Sequence, residues 1–148
     1  MLKYTIEQIS DRLEIQDLTT AYADAIDQQA IERLDEVFTA DAFLDYSAFG
    51  GPAGSYAEAK AFLLENMPVF QHTQHFMANH QIQLESSRAT GKVMCLNPIK
   101  LEGKSETFFL GLWYIDEYVR TEQGWRISKR TELHSWNYNA PDFIQAEA

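Results

Sequence analysis

Residues 105–138 read SETFFLGLWYIDEYVRTEQGWRISKRTELHSWNY, and this stretch decides the fold. It is rich in aromatic and β-branched residues, and apolar and polar side chains alternate along much of it, as is typical of β-strands. The run Glu122-Gln123-Gly124 interrupts the alternation and predicts a tight turn. The stretch therefore predicts an antiparallel hairpin of strands 105–121 and 125–138.

The chain before residue 70 carries helical signals instead. Thr5 and Ser55 each begin a capping box of the S/T-x-x-E/Q form. The first predicted helix runs from Thr5 to about residue 29 without Gly or Pro, and the last one ends at Pro68. The apolar stripe of the first helix is Ile9, Leu13, Leu18, Tyr22 and Ile26. A short helix between the two carries Ile31, Leu34, Val37 and Phe38.

Further strands are predicted at residues 42–49, 74–85 and 89–96. Because helices come first and most of the strands follow one another, the order predicts an α+β fold. We expect a cone-like, curved antiparallel sheet that packs against the N-terminal helices and encloses a pocket. The 148 residues show no internal repeat or linker, so one domain, 1–148, is predicted.

Composition excludes several classes of protein. The 22 acidic and 12 basic side chains give a formal net charge of −10, which argues against binding to nucleic acid or to an anionic membrane. Cys95 is the single cysteine, and the first residues lack the apolar segment of a signal peptide. We therefore predict a cytoplasmic protein. No phosphate-binding glycine motif occurs, so no nucleotide is expected.

Histidines and acids supply the candidate chemistry. His72, His75 and His80 lie close in sequence, but strand alternation places His75 on one face and the other two on the opposite face, so no metal site is expected. The polar face that contains His75 is typical of contact with solvent. Asp27 lies about 140° from Tyr22 on a helical wheel. The wheel alone leaves open whether Asp27 faces solvent or a pocket.

Several segments, taken in order, resemble the SnoaL-like family of the nuclear-transport-factor and ketosteroid-isomerase superfamily. These segments are residues 15–18, 22–27, 34–38, 41–42, 73–76 and 124–127, together with Arg130. The resemblance implies the cone fold that such proteins share, which is also called cystatin-like. It further implies assembly as a homodimer or homotrimer through the sheet, since trimers occur among related enzymes.

Three lyases of this superfamily resemble the chain in their catalytic residues: scytalone dehydratase, bile-acid dehydratase and hexachlorocyclohexane dehydrochlorinase. Each pairs an Asp of the first helix with a His of the sheet, and the corresponding residues here are Asp27 and His75, 48 residues apart. The resemblance implies further catalytic roles for Tyr22 and Arg130. It implies substrate contacts for Tyr46, Leu44, Cys95, Tyr114 and His134. No single enzyme is reproduced, because several of these positions carry different residues in one or another relative.

The predicted function is a cofactor-independent elimination on a small hydrophobic cyclic substrate, with neither metal, nucleotide nor flavin. One alternative is an isomerase or polyketide-cyclase-like enzyme that uses Asp45 or Asp27 as a carboxylate base. The other alternative is a ligand-binding protein of the same fold without turnover. Aromatic side chains favour an apolar cyclic ligand, although core packing explains more than half of them. The aromatic candidates are Phe70, Phe76, Phe109, Trp113, Tyr114 and Trp136.

Overall fold

The computed structural model describes residues 1–144. In that range the α-helices are α1 (Ile6–Asp27) and α2 (Tyr56–Asn66). The strands are β1 (Phe38–Asp45), β2 (Ala53–Ser55), β3 (Phe70–Thr73), β4 (Phe76–Glu85), β5 (Arg88–Leu101), β6 (Thr107–Thr121) and β7 (Gly124–Tyr138). Short 3₁₀ helices cover Ile31–Glu36, Ser47–Phe49 and Met67–Val69. None of the helices within residues 1–144 is both long and apolar enough to cross a membrane.

The strands form one curved, unclosed sheet in the order β2-β1-β7-β6-β5, and β3 and β4 both pair with β5. All pairings are antiparallel except that β1 runs parallel to β7. The predicted α+β fold, with α1 packed on a curved sheet, is confirmed. The predicted hairpin is confirmed too, because Thr121 pairs with Gly124 across the turn. Gly124 has φ +105°, a backbone conformation that favours glycine.

Both predicted capping boxes are present. At the start of α1, the Thr5 side chain accepts a hydrogen bond from the Gln8 amide, and the Gln8 side chain accepts one from the Thr5 amide. The predicted stripe is wrong at its beginning, since Ile9 and Leu13 are exposed. The buried face begins at Asp11 and continues along the second half of the helix. Helical rotation accounts for the difference, since Ile9 and Leu13 fall outside the row that starts at Asp11.

Four predicted element boundaries are wrong. The strand predicted at 42–49 ends at Asp45, and Ser47–Phe49 form a 3₁₀ helix instead. Phe38 begins β1 rather than lying in the short helix, because β1 starts where Phe38 pairs with Ile127 of β7. The predicted strand 74–85 is two strands that are interrupted at Gln74 and His75. The strand predicted to end at residue 96 continues through Pro98 as β5, because this segment pairs with β6 and with β3. Pairing across the sheet outweighs the local breaker signal of a proline.

Candidate active site

A cavity of about 340 Å³ lies between the helices and the concave face of the sheet. Most of its wall is apolar, and its polar lining groups are concentrated on a few side chains. The C-terminal segment contributes Phe143 and Ile144 to the lining. This segment passes directly over Gly50, where a Cβ atom would lie 2.6 Å from the Phe143 carbonyl oxygen. The apolar lining residues are Ile26, Phe49, Phe62, Leu63, Met67, Val69, Phe70, Ile99, Leu110, Leu112, Phe143 and Ile144.

Asp27 and His75 form a two-point contact at one side of the cavity. Asp27 is the last residue of α1, and His75 lies in the break between β3 and β4. The His75 ring nitrogen Nδ1 lies 2.6 Å from Asp27 Oδ1, and the His75 backbone amide donates to Asp27 Oδ2 at 2.8 Å. The His75 and Asp27 side chains are only 6% and 15% exposed, respectively, so His75 does not face solvent as its strand pattern suggested.

The other ring nitrogen of His75, Nε2, contacts Asn97 at the wall of the cavity. Because Nδ1 donates to a carboxylate, Nε2 carries the free electron pair of the neutral ring. The Asn97 amide nitrogen lies 3.2 Å from Nε2, and the Thr73 hydroxyl donates to the Asn97 carbonyl oxygen at 2.9 Å. This chain of hydrogen bonds fixes the amide orientation and holds the ring from its far side. His75, Asn97 and Thr73 all line the cavity.

Three buried tyrosines line the cavity near His75: Tyr22, Tyr46 and Tyr114. The Tyr22 and Tyr46 hydroxyls are 3.0 Å apart, and the Tyr22 ring packs edge-on against the His75 ring. Burial raises the pKa of Tyr22 to about 12 and those of Tyr46 and Tyr114 well above the ordinary value. All three therefore keep their protons at neutral pH and are hydrogen-bond donors.

Arg130 supports the tyrosines from behind rather than lining the cavity. Its Nε and Nη2 both donate to Asp116 at 2.7 Å, and both side chains are 0% exposed. The guanidinium carbon lies 4.2 Å from the ring centroids of Tyr22 and Tyr114. Arg130 is therefore outside the cavity lining, because Asp116 and the two rings enclose it, and its catalytic role stays a prediction. Its charge acts through the tyrosines, lowering the pKa of Tyr22 against the effect of burial.

Three further predicted contact residues lie outside the cavity lining. Leu44 and Cys95 are buried in the core, where their strands pack, and burial raises the pKa of the Cys95 thiol to about 12. His134 packs against Phe49 and contacts the Asn137 amide instead. The alternative base Asp45 also lies outside the lining, and its carboxylate accepts hydrogen bonds from the Ser47 amide and hydroxyl. Tyr22, Tyr46, His75 and Tyr114 are the predicted site residues that line the cavity.

The histidine cluster does not gather at one point. His80 contacts the Thr19 hydroxyl at 2.8 Å and so faces α1, contrary to the predicted alternation. The reason is an irregularity in β4 between Ala78 and Gln81, where Asn79 has φ +51°. His72 remains exposed. Among residues 1–144, no group of three or more His, Cys, Asp or Glu side chains is arranged to hold a metal ion.

Four polar residues of the cavity lining were missed from the sequence: Asn66, Thr73, Asn97 and Glu132. Burial, with a smaller contribution from Asp45, raises the pKa of Glu132 to about 8, while the charge of Arg130 lowers it. Strand alternation was the available signal, because Glu132 lies between Arg130 and His134 with the same parity on β7. Asn97 was hidden by the adjacent proline, which suggested that the strand had ended.

The family comparison matches this architecture. Residues 7–131 match the SnoaL-like domain family. Uncharacterized proteins of Mycobacterium tuberculosis and Mycobacterium bovis are 43% identical to this chain over 132 residues, which cover 86% of this chain and 88% of each relative. The chain belongs to the SnoaL-like domain family.

Solved structures support the same fold. A candidate aromatic ring hydroxylase from Novosphingobium aromaticivorans has a TM-score of 0.83 and 27% identity, covering 93% of this chain and 98% of that one. A candidate scytalone dehydratase from the same organism has a TM-score of 0.81 and 18% identity, with 90% and 89% covered. The hexachlorocyclohexane dehydrochlorinase LinA-type3 from Novosphingobium barchaimii has a TM-score of 0.78 and 20% identity, and the match covers 90% of this chain and 92% of that one. At these last two identities the likeness shows the fold alone.

Proposed function

We propose that this protein is a lyase that eliminates a leaving group from a small hydrophobic cyclic substrate without a cofactor. The observation that carries the proposal is the Asp27–His75 contact, which leaves the electron pair of the imidazole on Nε2 at the cavity wall. The Asn97 amide donates to Nε2 at 3.2 Å, and the proposal requires a substrate C–H group to take the place of this long hydrogen bond. A carboxylate on Nδ1 fixes the tautomer and stabilises the imidazolium that forms when Nε2 takes a proton. His75 is thereby suited to act as a general base.

The proposed reaction begins at a substrate carbon beside Nε2 of His75. His75 removes a proton from that carbon, the electron pair forms a double bond, and the leaving group departs from the neighbouring carbon. The Tyr22 and Tyr46 hydroxyls share one hydrogen bond, so one donates to the other and the second keeps its proton for the negative charge that develops on a substrate carbonyl oxygen. The Arg130 charge behind the Tyr22 ring strengthens Tyr22 as a donor.

The cavity supports the substrate class. Its volume of about 340 Å³ lies at the small end of the roughly 300–1,000 Å³ of ligand pockets. Phe49, Phe62 and Phe70 supply flat apolar surface that suits a ring. The polar side chains of the wall are concentrated around His75 and the tyrosines, and the rest of the wall is apolar. A compact ring that carries a carbonyl and a leaving group would match this arrangement.

A substrate screen tests the proposal. Cyclic β-hydroxy ketones and halogenated rings would be incubated with the wild-type protein, and the unsaturated product followed by absorbance. His75→Ala should reduce kcat/KM by roughly 10²–10⁴-fold, the contribution of a positioned base. His72→Ala, which removes an exposed histidine three residues away, is the matched control and should leave the rate unchanged.

The same experiment separates the lyase from a ligand-binding protein. A binding protein would give no elimination product from any compound, and His75→Ala would lose little affinity. Turnover that is equal in wild type and in His75→Ala would contradict the mechanism, provided that circular dichroism shows both proteins folded.

A further inference from the structure

We propose that Glu132 donates the proton that a departing hydroxyl group needs, so that the cavity is suited to dehydration. The inference rests on the proposed elimination and specifies its substrate class as cyclic β-hydroxy carbonyl compounds. Neither the sequence pattern nor the family resemblance singled out this residue.

The position of Glu132 suits a proton donor that acts opposite the base. Glu132 pairs with Tyr114 across β6 and β7, and both side chains line the cavity. His75 reaches the cavity beside Asn97 of β5, two strands away from β7. Asn97 also lies four residues along β5 from Val93, the residue that pairs with Tyr114. The backbones of Asn97 and Glu132 are therefore roughly 16 Å apart, and both side chains extend into the cavity between them. A small ring can therefore lie with its acidic carbon toward His75 and its hydroxyl toward Glu132.

Among the described residues, the Glu132 carboxyl has no ionic partner to hold it as a carboxylate. Among residues 1–144, no side chain forms a hydrogen bond or an ion pair with it. Arg130 lies two residues away on the same strand, but Asp116 occupies two nitrogens of its guanidinium. Glu132 is partly buried, and a carboxyl that is partly withdrawn from water without an ion pair favours its neutral form. This geometry leaves Glu132 with a proton to donate.

The surrounding charges agree with this protonation state. Burial raises the pKa of Glu132, the positive charge of Arg130 opposes this rise, and the negative charge of Asp45 adds to it, so that the resulting pKa is about 8. The other titratable groups near it are neutral at neutral pH, since burial raises the pKa of each: Tyr22, Tyr46, Tyr114 and Cys95. His75 lines the same cavity from its other side, and Asp27 contacts His75 from outside the lining.

The chemistry explains why a hydroxyl leaving group needs this acid. Hydroxide is a poor leaving group, whereas a halide departs as a stable anion without a proton. In the dehydration, Nε2 of His75 takes the proton from carbon, the C–O bond breaks, and the oxygen takes the Glu132 proton and leaves as water. His75 is then an imidazolium and Glu132 a carboxylate. Transfer of one proton from His75 to Glu132 through solvent restores both groups.

Paired substrates test this role. A cyclic β-hydroxy ketone and the same ring with chloride as the leaving group would be compared with wild type and Glu132→Gln. Glu132→Gln should lose about 10²-fold or more in kcat/KM on the hydroxy ketone and change little on the chloride. Glu117→Gln is the matched control, because Glu117 is an exposed acid of the neighbouring strand β6. It should change neither rate.

The pH dependence gives a second readout. Glu132 keeps its proton below about pH 8 and loses it above, so kcat/KM for the hydroxy ketone should fall as pH rises through that value. This decline should be absent with the chloride substrate and in Glu132→Gln. Infrared difference spectra of wild type against Glu132→Gln should contain the carbonyl stretch of a protonated carboxyl at neutral pH, and it should disappear at higher pH.

The outcomes separate this inference from the proposed function. Elimination of the chloride but not of the hydroxy ketone by wild type, or equal losses on both substrates in Glu132→Gln, would overturn the role of Glu132 and leave the lyase intact. Absence of the protonated carboxyl band would also overturn it, whether or not a substrate is found. If wild type eliminates neither substrate, the proposed function fails and this role fails with it.

Discussion

Neighbouring residues of the hairpin β6–β7 lie on opposite faces of the sheet, and the two faces differ in polarity and in exposure. Tyr114 pairs with Glu132 on the concave face, and the next pair along, Trp113 with Leu133, lies on the convex face. The concave pair lines the cavity together with His75, whereas Leu133 is 49% exposed. One alternating sequence thus supplies a polar, enclosed wall and an apolar, open one. The same strands can serve two different functions because their side chains alternate.

Two acid–base pairs lie on the concave side of the sheet, and they differ in how the carboxylate binds its partner. Asp116 and Arg130 are fully enclosed, and the carboxylate occupies two of the guanidinium nitrogens. In the Asp27–His75 pair the carboxylate binds one ring nitrogen, and the other contacts only the Asn97 amide at the cavity wall. The first arrangement suits stability and the second suits proton transfer. Substitutions of the acids should therefore give different losses.

The largest effect is expected from Asp27→Asn. The carbonyl oxygen of the introduced amide would accept from the His75 backbone amide, so its NH₂ group would face Nδ1 and favour a proton on Nε2, where the base needs an electron pair. We expect kcat/KM to fall by roughly 10³-fold, and Asp27→Asn/His75→Ala to be little worse than either single variant. Nitrogen NMR of the ring checks the tautomer.

Asp24→Asn is the control for that experiment. Asp24 lies three residues earlier on α1 and pairs with Arg33, and both side chains are about half exposed. This variant should retain wild-type activity. Equal losses of activity in Asp24→Asn and Asp27→Asn would show that the end of α1 tolerates neither substitution. The loss in Asp27→Asn would then be no evidence for the role of the His75 tautomer.

Asp116→Asn should mainly reduce stability. It leaves the buried Arg130 charge without its partner, and such a change costs roughly 3–5 kcal/mol in the free energy of unfolding. Asp24→Asn, which removes an exposed pair, should cost less than about 1 kcal/mol. Urea denaturation of both variants measures the difference. Losses of the same size would mean that the Asp116–Arg130 pair is no more important than a surface pair.

Substitutions on the convex face of the sheet should have the smallest effect on the stability of the single chain. We propose that this face forms the interface of a homodimer or homotrimer, because it leaves Phe76, Leu133 and Trp136 about half exposed. Leu133→Glu should then dissociate the assembly to the monomer mass of 17.0 kDa in light scattering. Leu13→Glu, at an equally exposed apolar position on α1, should leave the mass unchanged. A wild-type mass near that of the monomer at micromolar concentration would contradict the proposal.

Local signals predicted most elements of the fold. The capping boxes at Thr5 and Ser55 begin helices because they supply partners for otherwise unpaired amides, wherever the helix packs. The turn before Gly124 is similarly local. The errors came where distant strands decide the boundary: β1 begins where Phe38 pairs with β7, and β5 continues through Pro98. A short window of sequence does not show which distant strand a segment pairs with or how much that pairing stabilises it.

The site was less predictable than the fold. Resemblance selected Asp27, His75, Tyr22, Tyr46 and Tyr114, and the structure brings their side chains to one cavity or directly behind it. The same resemblance also selected Leu44, Cys95 and His134, which lie outside the lining. Correspondence along the chain does not state which way a side chain points once bulges shift the strand register. Glu132 was overlooked because an acid on a strand is ordinarily exposed.

The sequence by itself determined the order of helices and strands, the capped ends of α1 and α2 and the turn of the β6–β7 hairpin, because these depend on neighbouring residues. Only the tertiary structure decided which acids are paired and which are isolated. Arg130 is bound by Asp116 of the adjacent strand, while Glu132, two residues further, faces the cavity without an ionic partner among residues 1–144. Burial and partner geometry set the charge of a carboxyl group, and both arise only when distant strands and helices meet.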